Sequence, residues 1–138
     1  MILLDTNVIS ALMQQSPDVQ VISWLDQQPR SSVWTTSVTV LEIRFGLQVL
    51  PMGKRRRALG EKFDVLLEMM DHRVAAFDLA AADRASALMA ARRHAGRTVE
   101  IRDTMIAGIA LAHHASLATR NITDFADARL ALVNPWET

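Results

Sequence analysis

Hydrophobic positions along this chain fall into two alternating kinds of segment. Short apolar or β-branched runs at Ile2 to Leu4, Val33 to Thr36, Val74 to Phe77, Ser116 to Thr119 and Leu130 to Val133 read as buried strands. Between them lie longer segments with helical spacing. Val8 to Met13 form a short helix. Val21, Ile22 and Leu25 mark one face of a second, with Pro17 in its first turn and an end near Gln28-Pro29. Ser37 is expected to cap a helix running through Leu50, with Pro51 ending it. From Arg55 to Asp71, residues Leu59, Phe63, Leu66, Leu67 and Met70 recur on one helical face. Leu79 to Ala95 is an Ala-rich helix closed by Gly96 at C′, and Glu100 to His114 is a helix apolar nearly all round.

Apolar strands alternating with helices indicate an α/β fold, a parallel sheet covered on both faces. Ligands of such sheets bind beyond the carboxyl ends of the strands, where strand order switches. Residues immediately after strands are therefore the place to seek chemistry.

Composition narrows the classes. At the usual ~100 to 200 residues per domain, the chain reads as one domain, 1–138. With no cysteine, disulfides and thiolate metal sites are excluded; a cytoplasmic location is expected, and any metal must be a hard ion held by oxygen. Apolar runs fall far short of the ~18 residues of a membrane span, and no basic leader precedes Asp5. Lys and Arg total 15, as do Asp and Glu. Neutrality argues against gripping nucleic acid through bulk positive charge.

Four acidic residues stand out. Asp5 follows the first strand and opens a helix; it is either an N-cap or a metal-binding carboxylate with Thr6 and Asn7 as polar neighbours. Glu42 lies between Val38 and Phe45 on an apolar stripe, where a carboxylate needs a partner; a capping box from Thr39 is the structural alternative. Asp103 sits one turn into the most apolar helix. A first-turn Asp gains ~0.3 to 1 kcal/mol from the helix dipole, less than burial of the charge costs, and a cation would resolve the conflict. Asp124 follows the fourth strand, where turn chemistry with Asn121 in αL and Asp124 capping a short helix is the plain reading. Convergence of all four by accident is improbable.

These pieces occur in a recognisable order: Leu3-Leu4-Asp5-Thr6-Asn7-Val8, then Ser37 to Ile43 with Gly46, then Arg102-Asp103-Thr104-Met105-Ile106-Ala107, then Ala118 to Phe125 running to Val133-Asn134-Pro135-Trp136. The ordered set resembles the PIN-domain ribonucleases, and within them the VapC and FitB-like toxins of type II toxin–antitoxin pairs. The resemblance implies a PIN-like three-layer α/β/α fold with a central parallel sheet of about five strands. It implies Mg²⁺-dependent, or Mn²⁺-dependent, endoribonuclease activity and a cognate antitoxin that neutralises it. A homodimer or toxin–antitoxin hetero-oligomer, reaching operator DNA only through the antitoxin, is implied as well. Asp5, Glu42, Asp103 and Asp124 fall on the family's acidic quartet. Asp5 and Asp103 are the expected direct metal ligands, with Glu42 and Asp124 holding bound water or a second ion. Thr6, Asn7, Thr119 and Asn121 are expected to orient carboxylates or phosphate. Setting the quartet aside leaves 15 basic residues against 11 acidic ones (15 − 4), so neutrality no longer argues against an RNA substrate.

Other features carry less. Lys54 to Arg57 is a basic run that opposes the helix dipole, either solvated surface or an RNA contact. Arg92, Arg93, Arg97 and Arg102 are candidates for phosphate contacts. Leu41, Phe45, Leu47, Val49 and Leu50, with Leu66, Leu67, Met69 and Met70, are mostly core with room for a groove that takes an antitoxin helix. Trp24, Trp34 and Trp136 read as packing. The alternatives are a phosphoryl-transfer α/β protein and a non-catalytic one that uses the acidic pocket as a cation or partner site. The first lacks support: Asp5 has no second Asp two positions on, the only lysines are Lys54 and Lys62, and no glycine-rich phosphate loop appears.

Overall fold

The computed structural model describes residues 1–138. Its strands are β1 (Ile2–Leu4), β2 (Val33–Thr36), β3 (Val74–Ala75), β4 (Ser116–Ala118) and β5 (Leu132–Val133). They form one sheet in the order β3-β2-β1-β4-β5, parallel throughout. The helices are α1 (Thr6–Leu12), α2 (Val19–Asp26), α3 (Ser37–Gln48), α4 (Lys54–Met69), α5 (Leu79–His94), α6 (Ile101–His113) and α7 (Ile122–Phe125).

Alternation along the strands divides the core in two. Leu4 and Ala118 face a cluster built by α1 to α4, with Val8, Ile9, Val21, Ile43 and Phe63 at its centre. Leu3 and Leu117, one residue earlier, face a second cluster supplied by α5 to α7, including Leu88, Ile106, Ile109 and Phe125. Both faces are covered, which is why β1 is apolar throughout and β4 carries Leu117 and Ala118 at its centre and carboxyl end. The three-layer α/β/α expectation therefore holds.

Several boundaries differ from the expected ones for local reasons. Pro17 is not in the first turn of α2; Asp18 is the N-cap, accepting from Gln20 N and Val21 N. Ser37 does not cap α3: Thr36 does, its Oγ1 accepting from Thr39 N at 3.0 Å. The Ser37 hydroxyl instead accepts from Phe77 N at 3.0 Å, and the turn from Ala76 to Asp78 ends β3 before Phe77. Gly96 closes α5 at φ 69° as expected. Gly108 has another task. A Cβ there would lie 2.6 Å from Ala81 O and 2.8 Å from Ala85 Cβ, so only glycine lets α6 approach α5 this closely.

Candidate active site

Strand order reverses at the centre of the sheet: from β1 the chain steps outward through β2 and β3, then returns to the other side of β1 as β4. The crevice beyond the carboxyl ends of β1 and β4 is the switch point at which ligands of this architecture bind. Asp5 stands there. Its backbone N–H continues the ladder to Ala118 O at 2.9 Å, and its side chain caps α1 through Thr6 N at 2.8 Å. The other carboxylate oxygen accepts from Thr119 Oγ1 at 2.7 Å and Asn7 Nδ2 at 3.4 Å. Both readings of Asp5 thus hold geometrically at once: it is an N-cap and a buried carboxylate, 3% exposed, at the sheet edge.

The other three acids approach from separate helices. Glu42, on α3, accepts from Thr6 Oγ1 at 2.8 Å. This bond, rather than a capping box with Thr39, is its partner; Thr39 is committed to Thr36 and Thr6. Asp103 is half-buried in the first turn of α6. Asp124 lies inside α7, not at its cap. Asn121 occupies the cap position with φ −92°, so the αL expectation fails, and its side chain forms no hydrogen bond within the chain. Its backbone N–H donates to Thr119 Oγ1 and its carbonyl accepts from Asp124 N, each at 3.0 Å.

Asp5 and Asp103 both lie in the field of Glu42 and Asp124. Asp103 is pushed up to about 6, first by desolvation, then by the charges of Asp5, Glu100, Asp124 and Glu42. Asp5 is also raised, by burial above all, against the hydrogen bonds from Thr119 and Thr6, with Glu42 and Asp124 adding repulsion. Hard oxygen donors that repel one another are a donor set that fits a divalent cation of the Mg²⁺ kind. No three acidic or histidine side chains in the chain stand close enough to form a metal-binding group by themselves. Mg²⁺ keeps several waters and is commonly held by one or two carboxylates, so it does not require three.

The arginines behave differently from the expectation of free phosphate contacts. Arg92 is buried: its guanidinium donates to Asp127 at 2.9 and 3.0 Å, to Thr104 Oγ1 at 2.7 Å and to Asp124 O at 2.9 Å. It fastens α7 to α5 and α6 and so sets where Asp124 stands. Arg97 pairs with the same Asp127 and with Thr123 O. Arg102 donates to Glu100 at 2.8 Å and reaches within 3.8 Å of Glu42, across the mouth of the crevice. Arg93 remains exposed. Lys54, Arg55 and Arg57 are exposed on α4 and take no carboxylate partner within the chain. Glu100, not singled out by sequence reasoning, caps α6 and adds to the field on Asp103; its spacing of three from Asp103, on the same face, was the available signal.

Apolar surface is unevenly covered. Leu47, Leu67 and Met70 are core, whereas Leu41, Phe45 and Val49 form an exposed stripe on α3. Trp24 is buried and Trp34 and Trp136 are partly so, which agrees with packing. No helix is long and apolar enough to cross a membrane.

Residues 2–129 match the PIN domain family model. Over 138 residues and 99% of both chains, the sequence is 41% identical to the plasmid stability protein StbB of Pseudomonas syringae and 40% identical to the VapC ribonuclease Y4jK of Sinorhizobium fredii. It is 34% identical over 137 residues to Toxin FitB of Neisseria gonorrhoeae, again covering 99% of each. The fold superposes on a chain of the FitAcB crystal structure from Neisseria gonorrhoeae with TM-score 0.91 and 33% identity, each chain fully covered. With the acidic crevice at the switch point of a five-stranded parallel sheet, and this similarity along its full length, the chain belongs to the PIN domain family.

Proposed function

We propose that this protein is a Mg²⁺- or Mn²⁺-dependent endoribonuclease, the toxin of a toxin–antitoxin pair, acting through Asp5, Glu42, Asp103 and Asp124. The observation that carries this is the approach of four carboxylates from four separate segments to one sheet edge, where burial above all, and then the charges of Asp5, Glu100, Asp124 and Glu42, push Asp103 up to about 6. The relatives named VapC ribonuclease and Toxin FitB support it.

When bound, the cation supplies positive charge that offsets the phosphodiester and acidifies water. Asp5 and Asp103 would hold it directly, and Glu42 and Asp124 would orient water around it. Thr119 and Asn7 keep Asp5 aimed, and Thr6 keeps Glu42 aimed, through bonds already formed. Water adds to phosphorus and the bond from phosphorus to the leaving oxygen breaks. Neutralisation by an antitoxin would use apolar surface, for which an apolar cleft of about 240 Å³ between α1, α2 and α4 is available.

Purified protein incubated with single-stranded RNA tests the reading. Cleavage is expected in Mg²⁺, abolished by EDTA, and lost in Asp5→Ala and Asp103→Asn. Cleavage that persists in either variant, or in EDTA, overturns it.

A further inference from the structure

An acidic crevice repels the polyanion it is meant to bind, so some cation beside it must hold RNA without neutralising the acids. Arg92, Arg97 and Arg102 are each tied to carboxylates. Arg120, in the loop after β4, is built differently. Its backbone N–H donates to Asn7 Oδ1 at 3.2 Å, and Asn7 in turn contacts Asp5 and Thr119. The root of the side chain is therefore fastened to the same hydrogen-bond network that positions Asp5.

The guanidinium lies over Trp136, 4.8 Å from the ring centroid. Trp136 is itself fixed, its backbone N–H donating to Asn134 Oδ1 at 3.0 Å and its side chain packing on the core that α1 to α4 cover. A guanidinium stacked by its face keeps its edge donors free, and Arg120 forms no ion pair within the chain. Stacking also removes rotamer freedom before any ligand arrives, which lowers the entropic loss on binding.

We infer that Arg120, held on Trp136, is a substrate-binding residue that grips a phosphate of the RNA strand flanking the scissile bond. This rests on the ribonuclease reading above. An arginine edge fits phosphate oxygens in a two-pronged manner that lysine does not reproduce. Stacking on Trp136 fixes the direction of approach, and the link through Asn7 fixes its distance from Asp5.

Steady-state cleavage of a labelled single-stranded RNA of mixed sequence, with Arg120→Gln, Arg120→Lys and Trp136→Phe proteins, tests the assignment. Loss of one charged phosphate contact is expected to raise KM about ten-fold in Arg120→Gln while kcat stays within about two-fold. In the Asp103→Asn background with Mg²⁺, the slope of log Kd against log salt should shrink by about 0.7 on adding Arg120→Gln. Arg120→Lys should keep the slope and raise KM by less than Arg120→Gln does, and Trp136→Phe, whose smaller ring holds the guanidinium less firmly, should raise KM by a smaller factor still. Melting temperature should be unchanged in Arg120→Gln, which separates substrate binding from a structural clasp. Unchanged KM and slope in Arg120→Gln overturn the inference, and so does a fall in kcat alone, which would mean that the side chain acts on the chemical step and not on substrate binding, since the backbone bond to Asn7 survives the substitution. Failure of the wild-type protein to cleave RNA would instead overturn the ribonuclease reading.

Discussion

Replacing Asp103 with Asn should stabilise the metal-free protein at neutral pH while abolishing its cation response. In the folded state Asp103 is raised from its ordinary 3.8 to about 6. The native protein therefore holds this proton at a pH where the unfolded chain has released it. Stability contributed by the group is highest below pH 4, falls as pH rises from about 4 to about 6, and is flat above that. The interval between the two values corresponds to at most about 3 kcal/mol, at 1.36 kcal/mol per pH unit. Asp103 is only half-buried, and solvent screening reduces this to about 1 to 1.5 kcal/mol. Asn carries no charge at any pH. Its advantage over Asp should thus appear at pH 7.5 and shrink towards zero near pH 4. Urea unfolding of both proteins in EDTA at pH 4, 5.5 and 7.5 measures the difference directly. Added Mg²⁺ should raise the urea midpoint of the wild-type protein at pH 7.5 and leave that of Asp103→Asn nearly unchanged. Equal stability of the two proteins at pH 7.5 in EDTA would refute the reasoning, because it would mean that neither burial nor the neighbouring acids disfavour the Asp103 charge.

Two further substitutions test the scaffold. Gly108→Ala gains about 1 kcal/mol of helix propensity but drives a methyl group to 2.6 Å from the Ala81 carbonyl; with overpacking costs of about 1 to 3 kcal/mol, a net loss of up to about 2 kcal/mol in urea unfolding is expected. Arg92→Met removes the donors to Asp127, Thr104 and the Asp124 carbonyl. Since Asp127 keeps some contact with water, a loss of about 2 to 3 kcal/mol is expected rather than the larger penalty of a fully buried orphan charge. RNA cleavage by Arg92→Met should fall even at temperatures where the protein stays folded, because Asp124 loses its anchor; undiminished cleavage there would detach Asp124 from the mechanism.

Whatever depended on local periodicity was legible in the sequence. The apolar run ending at Asp5 and the nearly all-apolar helix carrying Asp103 announced a sheet edge and a buried acid, because burial and alternation are written in neighbouring residues. What escaped depended on partners distant in the chain. Thr36 and Ser37 are equally good caps on paper; the demand of Phe77 N, in the turn after β3, decides which one serves α3. Arg92 reads as one of several surface arginines until Asp127 and Thr104 are brought beside it. Asn121 was assigned a turn conformation from residue type alone, and the backbone chose another because Thr119 Oγ1 takes its N–H.

The strand order has a consequence for timing. β1 sits in the middle of the sheet but one of its two flanks, β4, is made more than a hundred residues later. Until that flank arrives, Asp5 has neither the Ala118 carbonyl for its N–H nor the Thr119 hydroxyl for its carboxylate, and Asp124 has not been made. Non-local parallel pairing of this kind forms late and slowly. A chain still on the ribosome therefore carries no assembled acidic crevice for most of its synthesis. On the ribonuclease reading proposed above, the chain has no catalytic centre until the segment from Ser116 to Asp124 has been made and β4 has docked beside β1, and that interval is the window in which a partner can act first.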